Sequence, residues 1–198
     1  MIVLVLTTPR SGSSWFCSTY LVLGSPDLTP AYPGYVHVGG IFKRMSSADR
    51  ESSAQFLING GSNCVVKLFP QHVPTADPNT PSVLVSAAEK IYILVRKDFN
   101  AQLRSLYVAE QTDYYLKEDL PTRTVRYSAA DYERNKEFLQ ESLVKLYYIW
   151  RKLPHAELVY LEDLPQSGKY RQPVLWDQEP PVIDFDTVHL FTPRTHRI

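Results

Sequence analysis

The chain has 198 residues, of which 44% are hydrophobic and 21% are charged. Its 21 Lys and Arg residues equal its 21 Asp and Glu residues in number, so the formal net charge at pH 7 is zero. A chain of this balance lacks the broad basic surface that coats a polyanion, and nucleic-acid binding is therefore not expected. Any anion-binding site must depend on the local placement of basic side chains and backbone N–H groups.

The length predicts one domain over residues 1–198 with a substantial core. The opening residues, MIVLVL, are too few for the apolar core of a signal peptide, and no stretch approaches the roughly 20 apolar residues of a membrane span. Cys17 and Cys64 occupy positions that we expect to be buried. An isolated pair of buried cysteines favours free thiols in a reducing compartment, so the sequence predicts a cytoplasmic protein.

The first part of the chain predicts two strands and two helices. The apolar run IVLVLT (2–7) is a predicted strand, followed by a helix at 13–23 and a Pro-rich loop at 24–40. A helix is then expected at 47–58, and a strand with the sequence CVVKLF at 64–69. Both predicted strands are nearly continuous in apolar residues, which is typical of strands covered on both faces in a parallel sheet.

The rest of the chain continues this alternation. A second Pro-rich loop at 70–83 is followed by a predicted strand at 91–95 and a helix at 98–111 with Asp98 as N-cap. A long helix at 129–152 with Ser128 as N-cap comes next. A further strand at 157–161 and an irregular C-terminal wrap at 165–198 complete the predicted elements.

The longest predicted helix has one apolar face, because steps of four and three residues separate Leu139, Leu143, Leu146, Trp150 and Leu153. Such a helix packs that face against a core. Together with the alternation of strands and helices, it predicts an α/β fold of three α/β/α layers with a central, mainly parallel sheet, like that of the P-loop NTPases. Loops at the strand ends usually build the functional site in folds of this kind.

The loop after the first predicted strand, TPRSGSSW, has the composition of an anion-binding turn. Ser11 to Ser14 fall at the N-terminus of the following helix, where free N–H groups and the positive end of the helix dipole converge. Gly12 lets the backbone approach a ligand closely, and the Ser13 hydroxyl adds a donor. Arg10 adds a permanent, fork-shaped cation. An ordinary turn with Ser13 as N-cap is the alternative.

A Walker A loop, G-x-x-x-x-G-K-[ST], places a lysine after its last glycine. Here Ser13 follows Gly12 and the cation precedes the glycine, so a magnesium-bound triphosphate fits less well. The stretch TTPRSGSSW resembles the 5′-phosphosulfate loop of the sulfotransferases that use 3′-phosphoadenosine 5′-phosphosulfate (PAPS), which typically reads T-Y-P-[KR]-S-G-[ST]-[ST]-W. The resemblance implies that the phosphosulfate is held by Arg10, Ser11, Gly12, Ser13 and Ser14, and that Arg10 stabilises the leaving group.

The predicted strand at 91–95 ends in Arg96 and Lys97, where a P-loop kinase would carry an acidic residue for magnesium. The stretch RKDFNAQLRSLYVAEQT resembles the 3′-phosphate motif of the same sulfotransferases, an Arg at a strand end with a Ser eight or nine residues later. Its character is nearest to bacterial carbohydrate and glycolipid enzymes of the trehalose 2-sulfotransferase type. The resemblance implies that Arg96 and Ser105 bind the 3′-phosphate. A solvated basic pair at a helix entry is the alternative.

Lys67 is a charge among apolar residues, near the end of the second predicted strand. Relatives carry K-T-H after the equivalent strand, so the resemblance implies that Lys67 helps at the transferring sulfuryl group. Phe69 stands where the histidine would be, and His72 comes three residues later. Because a general base must lie within hydrogen-bond reach of the acceptor hydroxyl, His72 and His37 are rival candidates. A structural role is the alternative for either histidine.

The segment VYLEDL (159–164) is similar to the R-Y-E-D-L strand end of the family. We expect Glu162 and Asp163 to organise loops and to pair with basic neighbours. Glu162 and Glu110 are remoter candidates for the base. No cluster of His, Cys and carboxylate residues has the spacing of a metal site, which agrees with a metal-free reaction.

Two further features concern the nucleotide. The resemblance implies that Trp15 lies against the adenine, with a place in the core as the alternative. The C-terminus lacks the R-K-G-x-x-G segment that closes over the 3′-phosphate in many relatives. Arg194 and Arg197 are candidates for that role, or belong to a basic tail.

The sequence therefore predicts an enzyme that transfers a sulfuryl group from PAPS to a hydroxyl acceptor such as a sugar, a glycolipid or a small alcohol or phenol. Fixed cations and N–H donors stabilise such a transition state without a metal. A small P-loop kinase is the enzymatic alternative. A nucleotide-binding protein that has lost catalysis on the same scaffold is the non-enzymatic one.

Overall fold

A five-stranded parallel sheet lies at the centre of the molecule. Its strands are β1 (Ile2–Thr7), β2 (Val36–Val38), β3 (Cys64–Leu68), β4 (Lys90–Val95) and β6 (Glu157–Tyr160), and β5 (Arg123–Val125) pairs with β7 (Val174–Trp176) in a separate two-stranded sheet. The computed structural model describes residues 1–25, 27–38, 47–61, 63–70, 83–112, 123–165 and 174–192. The order of the large sheet, β2-β3-β1-β4-β6, places β1 between β3 and β4.

The predicted helices at 13–23, 47–58, 98–111 and 129–152 are confirmed within one or two residues at each end. The helices are α1 (Ser13–Trp15), which continues as a π-helix over Phe16–Leu23, α2 (Ser47–Asn59), α3 (Val83–Ala87), α4 (Phe99–Thr112), α5 (Ala129–Arg151) and α6 (Thr187–Leu190). Both predicted N-caps are confirmed. Asp98 Oδ1 accepts from Ala101 N over 2.8 Å, and Ser128 Oγ accepts from Asp131 N over 3.4 Å.

The side chains of β1 alternate between two apolar clusters, one on each face of the sheet, and all six of its residues are buried. Leu4 and Leu6 pack with residues of α4 and α5. Val3 and Val5 face the opposite side and pack with Phe16 of the π-helix. Because helices cover both faces, the apolar pattern is nearly continuous, as the sequence predicted. The α/β fold with a parallel central sheet is confirmed.

Two regions predicted as loop or irregular structure contain three short regular elements. β2 lies inside the Pro-rich stretch at 24–40, and β7 and α6 lie inside the C-terminal segment at 165–198. Three-residue strands leave almost no periodic signal, and their pairing depends on distant partners. In the two-stranded sheet, for example, the ring of Trp176 stacks on that of Tyr107 at 5.6 Å.

The apolar stripe of α5 is buried as predicted. Leu139, Leu143 and Leu146 have no exposed surface, and Trp150 and Leu153 pack at the margin of the same cluster. Among the described residues, no helix is both long enough and apolar enough to cross a bilayer.

The carboxyl ends of the parallel strands meet at one edge of the sheet. The residues that follow β1, β3 and β4 are Thr8, Phe69 and Arg96. This edge therefore brings together the three segments on which the sequence predictions depend.

Candidate functional site

The loop between β1 and α1 has an unusual backbone. Arg10 has a φ of 60° and Gly12 a φ of 79°, so both lie in the left-handed region. This conformation costs an arginine of the order of 1 kcal/mol, whereas glycine adopts it readily. A residue held in this way is typical of sites where the direction of a side chain matters.

Hydrogen bonds from neighbouring elements hold this loop in place. Gln102 of α4, which is fully buried, donates from Nε2 to Thr8 Oγ1 (2.8 Å) and to the carbonyl oxygen of Pro9 (2.6 Å). Thr7 donates from Oγ1 to the Leu94 carbonyl of β4 over 2.8 Å, and its Oγ1 lies 2.5 Å from Ser11 Oγ. Since the Thr7 proton is used on Leu94, Ser11 donates in that second bond.

Gly12 lies directly against Leu161, which begins the 3₁₀-helix Leu161–Asp163 after β6. A Cβ built on Gly12 would lie 2.6 Å from Leu161 Cδ2. The positive φ therefore favours glycine here, and any larger residue would also require the Leu161 side chain to shift. The loop is enclosed between α4 on one side and the end of β6 on the other.

Arg10 and Ser105 come from the two motifs identified in the sequence, and they are in contact. Arg10 Nε donates to Ser105 Oγ over 2.9 Å, and both side chains are partly buried. Ser105 lies one helical turn after Gln102, on the same face of α4. One face of this helix thus fixes both the backbone of the loop and the side chain of its arginine.

Lys67 approaches the same loop from β3. Its Nζ donates to Ser14 Oγ over 3.2 Å and lies 5.7 Å from the centre of the Phe69 ring. Ser14 is exposed, while Ser13 beside it is 5% exposed. The N–H groups of Ser13 to Trp15 precede the first intrahelical bond, which Phe16 N makes to the Gly12 carbonyl at 3.0 Å. Donors and a cation thus surround the start of the helix.

The third basic group, Arg96 and Lys97, is bound to the acidic pair after β6. Arg96 Nε lies 3.5 Å from Glu162 Oε1, and Lys97 Nζ lies 2.5 Å from Asp163 Oδ1. Glu162 also accepts from the backbone N–H of Lys97 at 2.9 Å and of Asp98 at 3.3 Å. The acidic pair therefore organises the entry to α4, as the sequence predicted.

Among the candidate bases, His37 lies on β2 and is partly buried. Burial, followed by the positive charge of Lys67, lowers the pKa of the His37 imidazole below its ordinary value of 6.5. Glu110 is exposed near the end of α4, with its carboxylate 3.9 Å from Arg134. His72 lies outside the described residues.

Trp15 is half-buried and belongs to the apolar face that α1 and the π-helix cover. Its ring lies 6.1 Å from that of Tyr20. Arg194 and Arg197, the two C-terminal candidates, lie outside the described residues.

Sequence reasoning missed Thr7, Thr8, Gln102 and Leu161, which shape the loop without carrying charge. Gln102 had a signal, because it precedes Ser105 by three residues in the predicted helix and so shares its face. Leu161 had none, since its contact with Gly12 depends on how β6 ends.

Within the described ranges, no three His, Cys, Asp or Glu side chains come close enough to share a metal ion. No family model matches this chain. A comparison with curated proteins gives no significant match.

Proposed function

We propose that the protein is a PAPS-dependent sulfotransferase. The observation that carries this proposal is the 2.9 Å hydrogen bond between Arg10 Nε and Ser105 Oγ. The two motifs were identified separately from their resemblance to the 5′-phosphosulfate and 3′-phosphate motifs of one family. A ligand with anionic groups at both ends needs the two motifs to lie side by side, and this contact supports that arrangement.

The phosphosulfate end of the donor would be held by the loop and by Lys67. Arg10 lies in the loop and contacts Ser105 of α4, while Lys67 contacts Ser14 from β3. The hydroxyls and backbone N–H groups of Ser13 and Ser14 would supply further donors to non-bridging oxygens.

The 3′-phosphate would be held by Arg96 together with Ser105. The Arg96 side chain is 18% exposed, and Glu162 orients it through the 3.5 Å contact. A guanidinium carries five N–H donors, so one arginine can contact both a carboxylate and a phosphate. Trp15 is a candidate for contact with the adenine.

Sulfuryl transfer places negative charge on the bridging oxygen of the leaving group. Fixed cations stabilise that charge best when they need no rearrangement during the reaction. The hydrogen bond to Ser105 restricts the Arg10 side chain, and the bond to Ser14 restricts that of Lys67. We therefore assign leaving-group stabilisation to Arg10, and contact with the transferring group to Lys67. The acceptor would be a hydroxyl of a sugar, a glycolipid or a small alcohol or phenol.

Titration calorimetry of adenosine 3′,5′-bisphosphate against ATP, each with and without magnesium, tests the proposal. The bisphosphate should bind in the absence of magnesium and more tightly than ATP. Arg10→Ala should weaken it, whereas Arg134→Ala should not, because that side chain lies on the exposed face of α5. Tight binding of ATP only in the presence of magnesium would instead indicate a kinase.

The cellular compartment is also part of the proposal. Cys17 and Cys64 are both buried free thiols. Free buried cysteines are expected where the environment is reducing, and we infer a cytoplasmic enzyme.

A further inference from the structure

His37 lies on the same face of the sheet as Lys67. In the parallel pairing of β2 with β3, His37 is opposite Val65, and Lys67 lies two residues further along β3. Alternate residues of a strand share a face, so Val65, Lys67 and His37 project to one side. On this side, Val65 packs in the same cluster as the π-helix that follows the loop.

Within the described ranges, few titratable groups share this face with His37. They include Lys67 of β3, Cys17 and Tyr20 of the π-helix, and Tyr32 and Tyr35, which precede β2 in the chain. Burial raises the pKa of the Cys17 thiol to about 12, so this thiol stays neutral. Burial likewise raises the pKa of the Tyr35 hydroxyl. Lys67 is therefore the cation that acts on the His37 imidazole.

The Nε2 atom of His37 is buried and makes no hydrogen bond within the described part of the chain. A buried polar atom without a partner is energetically unfavourable, and a native structure that keeps one usually has a use for it. Since burial and Lys67 both lower the imidazole pKa, the ring is neutral near pH 7 and one nitrogen can accept a proton.

We propose that His37 is the general base of the transfer reaction, acting beside Lys67. This inference rests on the proposed function. Nε2 of His37 takes the proton of the acceptor hydroxyl as the acceptor oxygen forms its bond to sulfur. The bond from sulfur to the bridging oxygen breaks, and adenosine 3′,5′-bisphosphate leaves with the electron pair. The imidazolium then releases the proton to solvent.

The charge of Lys67 acts on both the loop and His37. Lys67 contacts Ser14 at the start of α1, and its charge lowers the pKa of His37, so one lysine serves both the loop and the base. A base with a pKa below 7 is ready in its neutral form at physiological pH. It follows that the acceptor hydroxyl approaches from the β2 side of the sheet.

The test uses the 198-residue chain with His37→Gln, His37→Asn, the rival candidate variant His72→Gln and, as a matched control, a substitution of an exposed histidine, His155→Gln. The probe is PAPS with water as the acceptor, so that no other acceptor has to be known. Release of inorganic sulfate is measured in single turnovers from about pH 5 to pH 8. Affinity for adenosine 3′,5′-bisphosphate is measured by calorimetry on each variant.

Both His37 variants should release sulfate at least about 100-fold more slowly than the unmodified chain, and should lose the rise of rate with pH. Their bisphosphate affinity should stay within about twofold, which also shows that they fold, and the control His155→Gln should keep the original rate and profile. In a chain that keeps His37, Lys67→Met should move the inflection of the profile to higher pH, because a positive charge that lowers the His37 pKa is removed.

Several results would overturn the assignment. These are an unchanged rate in the His37 variants, an inflection that persists without His37, and loss of the pH dependence in His72→Gln instead. A chain that binds bisphosphate but releases no sulfate also contradicts it. If bisphosphate does not bind even to the unmodified chain, the proposed function itself fails, which is a separate outcome.

Discussion

Arg10 and Ser105 are 95 positions apart in the chain, yet Arg10 Nε donates to Ser105 Oγ over 2.9 Å. In this position Arg10 has a left-handed backbone conformation, with a φ of 60°, which is unfavourable for an arginine. The hydrogen bonds from Gln102 to Thr8 and Pro9 hold that backbone from the same helix. The guanidinium is therefore held in place by the protein itself. Substituting Arg10 and Ser105 singly and together measures how strongly the two side chains are coupled.

Arg10→Ala should weaken the binding of adenosine 3′,5′-bisphosphate by about 10- to 100-fold, because a hydrogen bond to a charged group contributes about 1.5–3 kcal/mol. Ser105→Ala should weaken it less. The double variant should lose less than the product of the two single losses, since part of the effect of Ser105 acts through Arg10. Calorimetry on the four proteins measures this coupling, and strictly multiplicative losses would mean that the two side chains act independently.

Arg96→Ala should weaken the binding of adenosine 3′,5′-bisphosphate more than it weakens the binding of adenosine 5′-monophosphate. The reason is that Arg96 is assigned to the 3′-phosphate, which the monophosphate lacks. Lys152→Ala is a matched control, because Lys152 is an exposed cation at the end of α5. Equal losses for the two nucleotides would show that Arg96 contacts a different part of the ligand.

Gly12→Ala should destabilise the fold by about 2–4 kcal/mol, which combines the positive φ with overlap of the new methyl group on Leu161. Gly34 is the matched control, because its φ of 82° is nearly the same as that of Gly12, but apart from its chain neighbours no atom of the described residues lies within 4 Å of its Cβ position. Gly34→Ala should therefore cost only about 1 kcal/mol. Urea unfolding gives both values, and equal losses would mean that the contact with Leu161 is relaxed at no cost.

Neither cysteine should react quickly with a thiol reagent in the folded protein. Cys17 and Cys64 are 0% and 1% exposed, and burial raises the pKa of both thiols, that of Cys17 to about 12. Because the thiolate is the reactive form, modification requires unfolding. The two residues also pack on opposite faces of the sheet, which excludes a disulfide between them. A Cys64→Ser variant measured in parallel assigns any residual reaction in the folded state, and rapid labelling of either thiol there would contradict this description.

Acid should destabilise the protein in part through His37. Its pKa in the folded state is lower than the ordinary 6.5, so the unfolded chain binds more protons between those two values. The free energy of unfolding therefore falls as the pH drops below about 6.5. His37→Gln should flatten this part of the profile, whereas the exposed His155→Gln should not. Urea unfolding at a series of pH values measures the effect, and identical profiles for all three proteins would refute the assigned direction.

The sequence alone was sufficient for most of the fold. The apolar runs of β1, β3, β4 and β6 predicted a parallel sheet, because strands covered on both faces contain few polar residues. The helix at 129–152 was equally clear from its spacing and its Ser128 cap. β2, β5 and β7 were missed, since three-residue strands exist only through their partners.

For the site, the sequence determined which residues are chemically capable of anion binding, namely Arg10, Lys67, Arg96 and the serines of the loop. Only the tertiary structure decided how they combine. Arg10 contacts α4, Lys67 contacts Ser14, and Arg96 pairs with Glu162. Contacts of this kind depend on strand order and register, which bring together segments 53 to 95 positions apart. Local sequence propensity contains no information about contacts between residues so far apart in the chain. Only the packing of the strands and helices determines these contacts.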